Sequence, residues 1–124
     1  MRRDISRHRL ADHLLNCPGP PGALEVFVGT RPIEDGWVIV VLRIDGCTTE
    51  EQAAWFGGGV QSDLLDHLRH ANQEEVPAEA VAAEWAIPAG AATWSIAVFV
   101  TLGSMLEALA MTDLLKAYAA PTPH

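Results

Sequence analysis

A long uncharged run, from Trp85 to Leu106, decides first whether this chain belongs in a membrane or folds around its own core. A membrane helix needs about 20 consecutive apolar residues, and the run is long enough. Pro88 and Gly90 interrupt it near one end, however, and no Lys or Arg lies close to either end to orient a span. We therefore expect no membrane span.

Within this run, large apolar residues recur at every second position. An extended chain would carry Trp94, Ile96, Val98, Val100 and Leu102 on one face and Thr93, Ser95, Ala97, Phe99 and Thr101 on the other. A repeat of two is typical of a β-strand, because successive side chains point to opposite faces of a sheet. The pattern predicts a buried strand over residues 93–101.

Two more strands are predicted earlier in the chain. Residues 24–30 (LEVFVGT) and 37–44 (WVIVVLRI) are rich in β-branched side chains. The residues between them, RPIEDG, contain a proline and an Asp-Gly pair, which are typical of a hairpin. Since both faces of the second strand are apolar, we expect that strand in the interior of the sheet.

Three further regions are predicted to be helical. Residues 4–15 form an amphipathic pattern that ends at the Pro/Gly-rich residues 16–22. A second helical region begins at a capping box, formed by Thr48 with Glu51 or by Thr49 with Gln52. Within this region Gly57–Gly59 are expected to form a hinge between two helices, of which the first ends at about Phe56 and the second at about Asn72. The last helix is expected from about Gly103 to Ala119.

Residues 77–87 (PAEAVAAEWAI) carry two competing signals. Their Ala and Glu content, with Pro77 in first position, favours a helix, whereas Val81, Ala83, Trp85 and Ile87 alternate as in a strand. We favour the strand, which would form a second hairpin with residues 93–101.

These elements predict one α+β domain over residues 1–124. Residues 1–22 would form the N-terminal helix and a Pro/Gly-rich linker, and residues 23–120 the core. The predicted elements follow one another in the order α-β-β-α-α-β-β-α. They form an antiparallel four-stranded sheet that is covered on one face by helices. With 49% hydrophobic residues, a chain of 124 residues has enough apolar surface for one such core.

Charge and cysteine content narrow the classes of partner. The chain has a net charge of −8, and from Leu10 onward four basic residues stand against fifteen acidic ones, a net of −11. Such a body repels phosphate, so we expect no direct nucleic-acid binding by it. Cys17 and Cys47 lack CxxC spacing and no secretory signal is present, which indicates reduced thiols in a cytoplasmic protein. An excess of Arg over Lys favours a bacterial source.

The segment SDLLDHLRH, residues 62–70, is the main candidate site. On a helix, Asp63, Asp66, His67 and His70 share one side. Carboxylate and imidazole at this spacing can bind a metal ion or act as an acid/base pair, but structural zinc sites usually need four ligands and no partner pair has a recognisable spacing. We interpret this side as solvated surface, and we predict no cofactor or metal.

Three other residues have the chemistry for a site. Cys47 precedes a predicted helix N-terminus, which would lower the pKa of its thiol, but no histidine has a local spacing to act as its base. We therefore interpret Cys47 as a buried or idle thiol. His8 and His13 flank the apolar side of the first helix and are expected on the surface.

The last helix has an apolar stripe that changes sides near Ala110. One side is formed by Leu102, Met105, Leu106 and Leu109, and nearly the opposite side by Met111, Leu114, Leu115 and Tyr118. We expect the first set to face the core. The second set, Met111, Leu114, Leu115 and Tyr118, is then predicted to be an interface with a second copy, since two-fold dimers are the commonest oligomers. The alternative is a kinked helix, which could bury both halves in its own chain.

The sequence as a whole favours a non-enzymatic protein–protein interaction or regulatory module that acts as a homodimer. One alternative is a small enzyme with an apolar pocket, in which His67 or His70 and Asp63 or Asp66 act as acid and base or as metal ligands. Another is an acidic inhibitor that mimics nucleic acid. The predicted order of elements resembles that of two classes of small homodimeric adaptor, the roadblock-type regulators and the acidic chaperones of bacterial secretion systems, a likeness of topology that assigns no role to any residue.

Overall fold

A computed structural model describes residues 9–20, 22–72 and 76–120 and confirms the predicted α+β class. Its strands and long helices are β1 (Glu25–Pro32), β2 (Val38–Cys47), α1 (Glu50–Asn72), β3 (Val81–Ala86), β4 (Trp94–Leu102) and α2 (Met105–Ala119). Short 3₁₀ turns occur at Leu10–Leu14, Glu34–Gly36 and Ala78–Ala80.

The four strands form one antiparallel sheet in the order β1-β2-β4-β3. Each predicted hairpin is present, and the two hairpins join where β2 pairs with β4. The turn between β1 and β2 uses the Asp-Gly pair, because Asp35 and Gly36 both have positive φ (60° and 81°). The strands whose sequences indicated burial, β2 and β4, are therefore interior.

The inner face of the sheet forms the core. In β2 and β4 the paired residues Val40 and Val100, and likewise Leu42 and Val98, are fully buried. Helix α1 packs over β3 and β4, whereas α2 packs over β1 and β2. Burial of each such side chain stabilises the fold by about 1.5–3 kcal/mol, so this face largely determines the packing of the helices.

Helix α1 is continuous from Glu50 to Asn72, so the prediction of a hinge at Gly57–Gly59 is wrong. Close packing explains two of these glycines. A Cβ at Gly57 would lie 2.9 Å from the Trp85 ring, and a Cβ at Gly59 would lie 2.7 Å from the His13 ring. The helix tolerates glycine here because neighbouring aromatic side chains occupy the space that larger residues would need.

The start of α1 uses the second of the two predicted capping pairs. Thr49 accepts a hydrogen bond from the backbone N–H of Gln52 through its Oγ1 (3.1 Å). The buried side chain of Gln52 accepts from the backbone N–H of Thr48 (2.9 Å) and donates to the carbonyl of Pro20 (3.0 Å). Gln52 thus fixes the Pro/Gly-rich segment to the core.

The predictions for residues 77–87 and 4–15 have different outcomes. Residues 77–87 contain the favoured strand, β3, after a single turn at Ala78–Ala80. The predicted helix over residues 4–15 differs from the structure, which has a 3₁₀ turn at Leu10–Leu14. The first half of that prediction lies outside the described residues. In the described half, Leu10 packs into the core and fixes the turn against α1 and α2.

Candidate functional site

The side of α1 that carries the acidic and histidine residues is only partly solvated. Asp66, His67 and His70 are partly exposed, as expected for a surface. Asp63 is 3% exposed, so the prediction of a solvated position is wrong for this residue. The reason is tertiary packing: the turn at Leu10–Leu14 and helix α2 both approach α1 near Asp63.

Asp63 lies at the centre of a cluster that joins three elements. Its Oδ2 accepts a hydrogen bond from Nε2 of His13 (2.8 Å) and another from the hydroxyl of Tyr118 (2.8 Å). Trp55 of α1 donates from Nε1 to the carbonyl of His13 (2.7 Å), and the His13 ring lies over Gly59. His13, which was expected on the surface, is therefore held against α1; His8 lies outside the described residues.

The electrostatics of the cluster keep Tyr118 neutral. Burial raises the pKa of the Tyr118 phenol far above its usual range, and the negative charge of Asp63 and the hydrogen bond to Asp63 raise it further. A phenolate would place a second negative charge beside a buried carboxylate. Tyr118 consequently acts as a hydrogen-bond donor across the physiological pH range.

The chemistry of this cluster is that of an oriented histidine and a buried carboxylate. Such pairs also occur in catalytic sites, where the carboxylate fixes the imidazole tautomer. Here the same carboxylate oxygen also accepts the Tyr118 hydroxyl, and its partners come from the N-terminal turn and from α2. The geometry therefore supports a tertiary clamp, because one buried acceptor connects three elements.

Two of the four predicted candidates, Asp63 and His67, have surroundings that differ. Asp63 points to His13 and Tyr118, whereas His67 lines a groove of about 310 Å³ between α1 and α2, together with Leu114. Within residues 9–20, 22–72 and 76–120, no group of three or more His, Cys, Asp or Glu side chains is placed to hold a metal ion.

Both cysteines are free thiols. Cys47 is fully buried, and burial, with a smaller contribution from nearby Cys17, raises the pKa of its thiol to about 11. The possibility that a helix N-terminus lowers this pKa is thus wrong. Burial also raises the pKa of Cys17. Cys47 belongs to the core, as the interpretation of a buried thiol expected.

Helix α2 has two apolar sides, but the sides are reversed relative to the prediction. Met111, Leu115 and Tyr118, which were assigned to an interface, are buried in the core of their own chain, and Leu114 is partly buried against it. Met111, Leu115 and Tyr118 are therefore not available to a second copy on the surface of this fold. Packing over β1 and β2, together with the bond from Tyr118 to Asp63, fixes this orientation.

The opposite side of α2 is exposed. Met105, Leu106 and Leu109 are 45%, 80% and 53% exposed, and we call these three residues the α2 stripe. Trp37, also half exposed, lies beside Gly103, two residues before the helix begins. The second apolar surface that the sequence indicates on this helix is present, formed by the first half of the helix.

The sheet has a second face, which we call the outer face. Both long helices lie on the inner face, and no element of the described chain covers the outer one. The strand register arranges the residues of the outer face in four rows that cross the sheet in the order β1, β2, β4, β3. The first row is Glu25, Asp45, Ser95 and Ala86, and the second is Phe27, Arg43, Ala97 and Glu84. The third row is Gly29, Val41, Phe99 and Ala82, and the fourth is Arg31, Ile39 and Thr101.

Arg43 contacts two neighbouring side chains on the outer face. Its guanidinium lies 4.7 Å from the centroid of the Phe27 ring and donates to Oδ2 of Asp45 (2.8 Å). Ser95 donates to the other oxygen of Asp45 (2.6 Å). The Ser95 hydrogen bond and the Arg43 contacts lower the pKa of Asp45. These contacts preorganise an arginine and an aromatic ring, two residue types that often anchor protein interfaces.

Sequence reasoning missed both the Asp63 cluster and the arrangement of the outer face. His13 and Asp63 are separated by 50 residues and Tyr118 and Asp63 by 55, so no local spacing connects them. The rows of the outer face depend on strand register, which becomes known only when the pairing of β2 with β4 is known.

In the described part of the chain, no helix combines the length and the apolar character that crossing a membrane requires. Comparisons with protein-family models, with curated proteins and with solved structures found no match for the chain.

Proposed function

We propose that the protein is a small acidic interaction or regulatory module without enzymatic activity, which acts as a homodimer and binds another protein. The observation that carries this proposal is the presence of apolar side chains on two opposite surfaces, the α2 stripe and the outer face. Leu106 is 80% exposed and Phe27 is 45% exposed. Clusters of exposed apolar residues commonly mark sites of protein association.

Two opposite surfaces are what an adaptor needs, because one can pair two copies while the other remains available to a target protein. Each copy has a net charge of −8, which keeps it soluble despite this apolar surface. The target would bind the α2 stripe, on which Leu106 and Leu109 are spaced as anchors on one side of a helix.

Light scattering across a dilution series tests the homodimer. We expect twice the mass of the chain at the highest concentrations and a decrease on dilution. A parent protein that stays monomeric throughout would refute the homodimer.

Capture from an extract of the source organism tests the α2 stripe. The parent is compared as bait with a Leu106→Asp, Leu109→Asp variant and with an Asp113→Ala control on the same exposed side of α2. We expect one protein to be retained by parent and control and lost with the double variant. Equal retention by all three baits would contradict a target site on α2.

A further inference from the structure

We propose that the outer face is the dimer interface, and that two copies stack their sheets face to face about a two-fold axis that runs parallel to the strands, between β2 and β4. This inference rests on the proposed homodimer and identifies the surface that forms it. It follows from the order of side chains in the rows of the outer face and from the charges around them.

The central row of the outer face is complementary to its own reverse. Along β1, β2, β4 and β3 it reads Gly29, Val41, Phe99 and Ala82. A two-fold axis parallel to the strands places β2 of one copy over β4 of the other. Val41 then faces the second copy's Phe99, and Gly29 faces its Ala82. Large side chains pack together in the middle and small ones lie at both margins, so the sheets can approach to about 10 Å.

The next row supplies charge complementarity. It reads Phe27, Arg43, Ala97 and Glu84. The same axis places Arg43 over the second copy's Ala97, one strand away from its Glu84. An arginine side chain spans that distance, and the contact occurs twice in the dimer. Opposite charges placed in this way favour one register over others.

The other two-fold axis in the interface plane, perpendicular to the strands, gives the opposite result. When that axis crosses the central row, it places Arg43 over the second copy's Ile39, one strand away from its Arg31. Like charges brought together across an interface are destabilising. The charge pattern therefore favours the axis parallel to the strands.

The overall charge of the chain points to the same face. From Leu10 onward the chain has four basic residues, and two of them, Arg31 and Arg43, lie on the outer face with three acidic residues, Glu25, Asp45 and Glu84. The outer face is thus nearly neutral, whereas the body carries a net charge of −11. Contact through these faces therefore brings little net charge together between two acidic copies.

The size of the face predicts a dimer that dissociates on dilution. Four strands about 4.8 Å apart, over about seven residues of about 3.4 Å each, form a face of about 460 Å². Two such faces bury roughly 900 Å², slightly below the approximately 1,000 Å² expected of a stable interface. Dimer and monomer should therefore both be populated within an accessible range of concentration.

Light scattering of three variants tests the interface. We expect Phe99→Asp to be monomeric where the parent is dimeric, while Leu106→Asp, a matched change on the α2 stripe, stays dimeric. A dimeric Phe99→Asp with a monomeric Leu106→Asp would overturn this inference and leave the homodimer intact. A monomeric parent would overturn both. Because Phe99→Asp alters a central strand, Glu84→Arg on the exposed edge strand provides an independent test and should weaken the dimer about tenfold.

Mixing tests the two-fold pairing itself. Arg43→Glu places two acidic groups at each contact and Glu84→Arg places two basic groups there, so each variant alone should dimerise weakly. In an equimolar mixture, both contacts of the heterodimer pair Glu with Arg, and dimers should return to near the parental fraction. A mixture no more dimeric than its components would overturn the proposed axis.

Discussion

The Tyr118 hydroxyl donates a hydrogen bond to the buried carboxylate of Asp63, and we expect this bond to stabilise the fold. Removing only the oxygen, in Tyr118→Phe, deprives Asp63 of one donor while the ring still fills the core. A hydrogen bond to a charged group contributes about 1.5–3 kcal/mol, and we expect a loss of that size in the free energy of unfolding, measured with urea. Leu106→Ala, on the exposed side of α2, should change it by less than about 0.5 kcal/mol. An unchanged Tyr118→Phe would show that water replaces the phenol at Asp63.

The same residue predicts how stability depends on alkaline pH. Burial and the charge of Asp63 raise the pKa of Tyr118 above the unfolded value of about 10. The contribution of the neutral phenol to stability is then complete below pH about 10, and it is lost as pH rises above that value, because the unfolded state ionises first. Tyr118 is the single tyrosine of the chain, so phenolate absorbance reports it directly. Absorbance should rise near pH 10 in denaturant, and in the native protein only with unfolding. A native titration near pH 10 would contradict the buried bond.

Residue patterns predicted the core positions better than the polar ones. The alternation at 94–102 placed Ile96, Val98 and Val100 on the buried face correctly, because a strand fixes which side each residue occupies. The burial of Asp63 was not predictable in this way. Helical periodicity placed it away from Leu64 and Leu68, and its partners are supplied by distant parts of the chain.

At the scale of elements, α1 shows why consecutive glycines were misinterpreted. Three glycines in a helix each cost about 1 kcal/mol relative to alanine, which favours a break when the sequence is considered alone. The cost is offset where the missing side chain lets Trp85 or His13 pack against the helix backbone. Gly58 has no such neighbour: a Cβ there would meet nothing within 4 Å.

This difference gives a prediction with its own control. Gly58→Ala should raise the free energy of unfolding by up to about 1 kcal/mol, because alanine favours the helix and the site is open. Gly57→Ala gains the same propensity but must displace the Trp85 ring, and overpacking of this kind costs about 1–3 kcal/mol. Urea unfolding of the two variants gives the comparison. Equal stabilisation by both would show that the Trp85 ring moves aside freely.

Helix α2 shows a different limit of sequence patterns. Its residues indicated two apolar sides and a change near Ala110, and both features are present. The pattern could not tell which side faces the sheet, since each contains leucine and methionine. Contacts with β1 and β2, and the reach of Tyr118 to Asp63, decide it.

The described chain is a two-layer fold with apolar side chains on two opposite surfaces, the outer face and the α2 stripe. If the outer face pairs two copies, the thermal stability of the protein should depend on its concentration. Association stabilises the folded state by mass action, so a dimer melts at a higher temperature when more concentrated. For a chain of 124 residues that unfolds from the dimer, each tenfold increase should raise Tm by about 3 °C. Differential scanning calorimetry above the dissociation constant measures this shift. Glu84→Arg should reduce it, because the exchange weakens the interface without touching the core, while Leu106→Asp should retain it. A parent whose Tm is the same at every concentration would show that the monomer is the unit that unfolds.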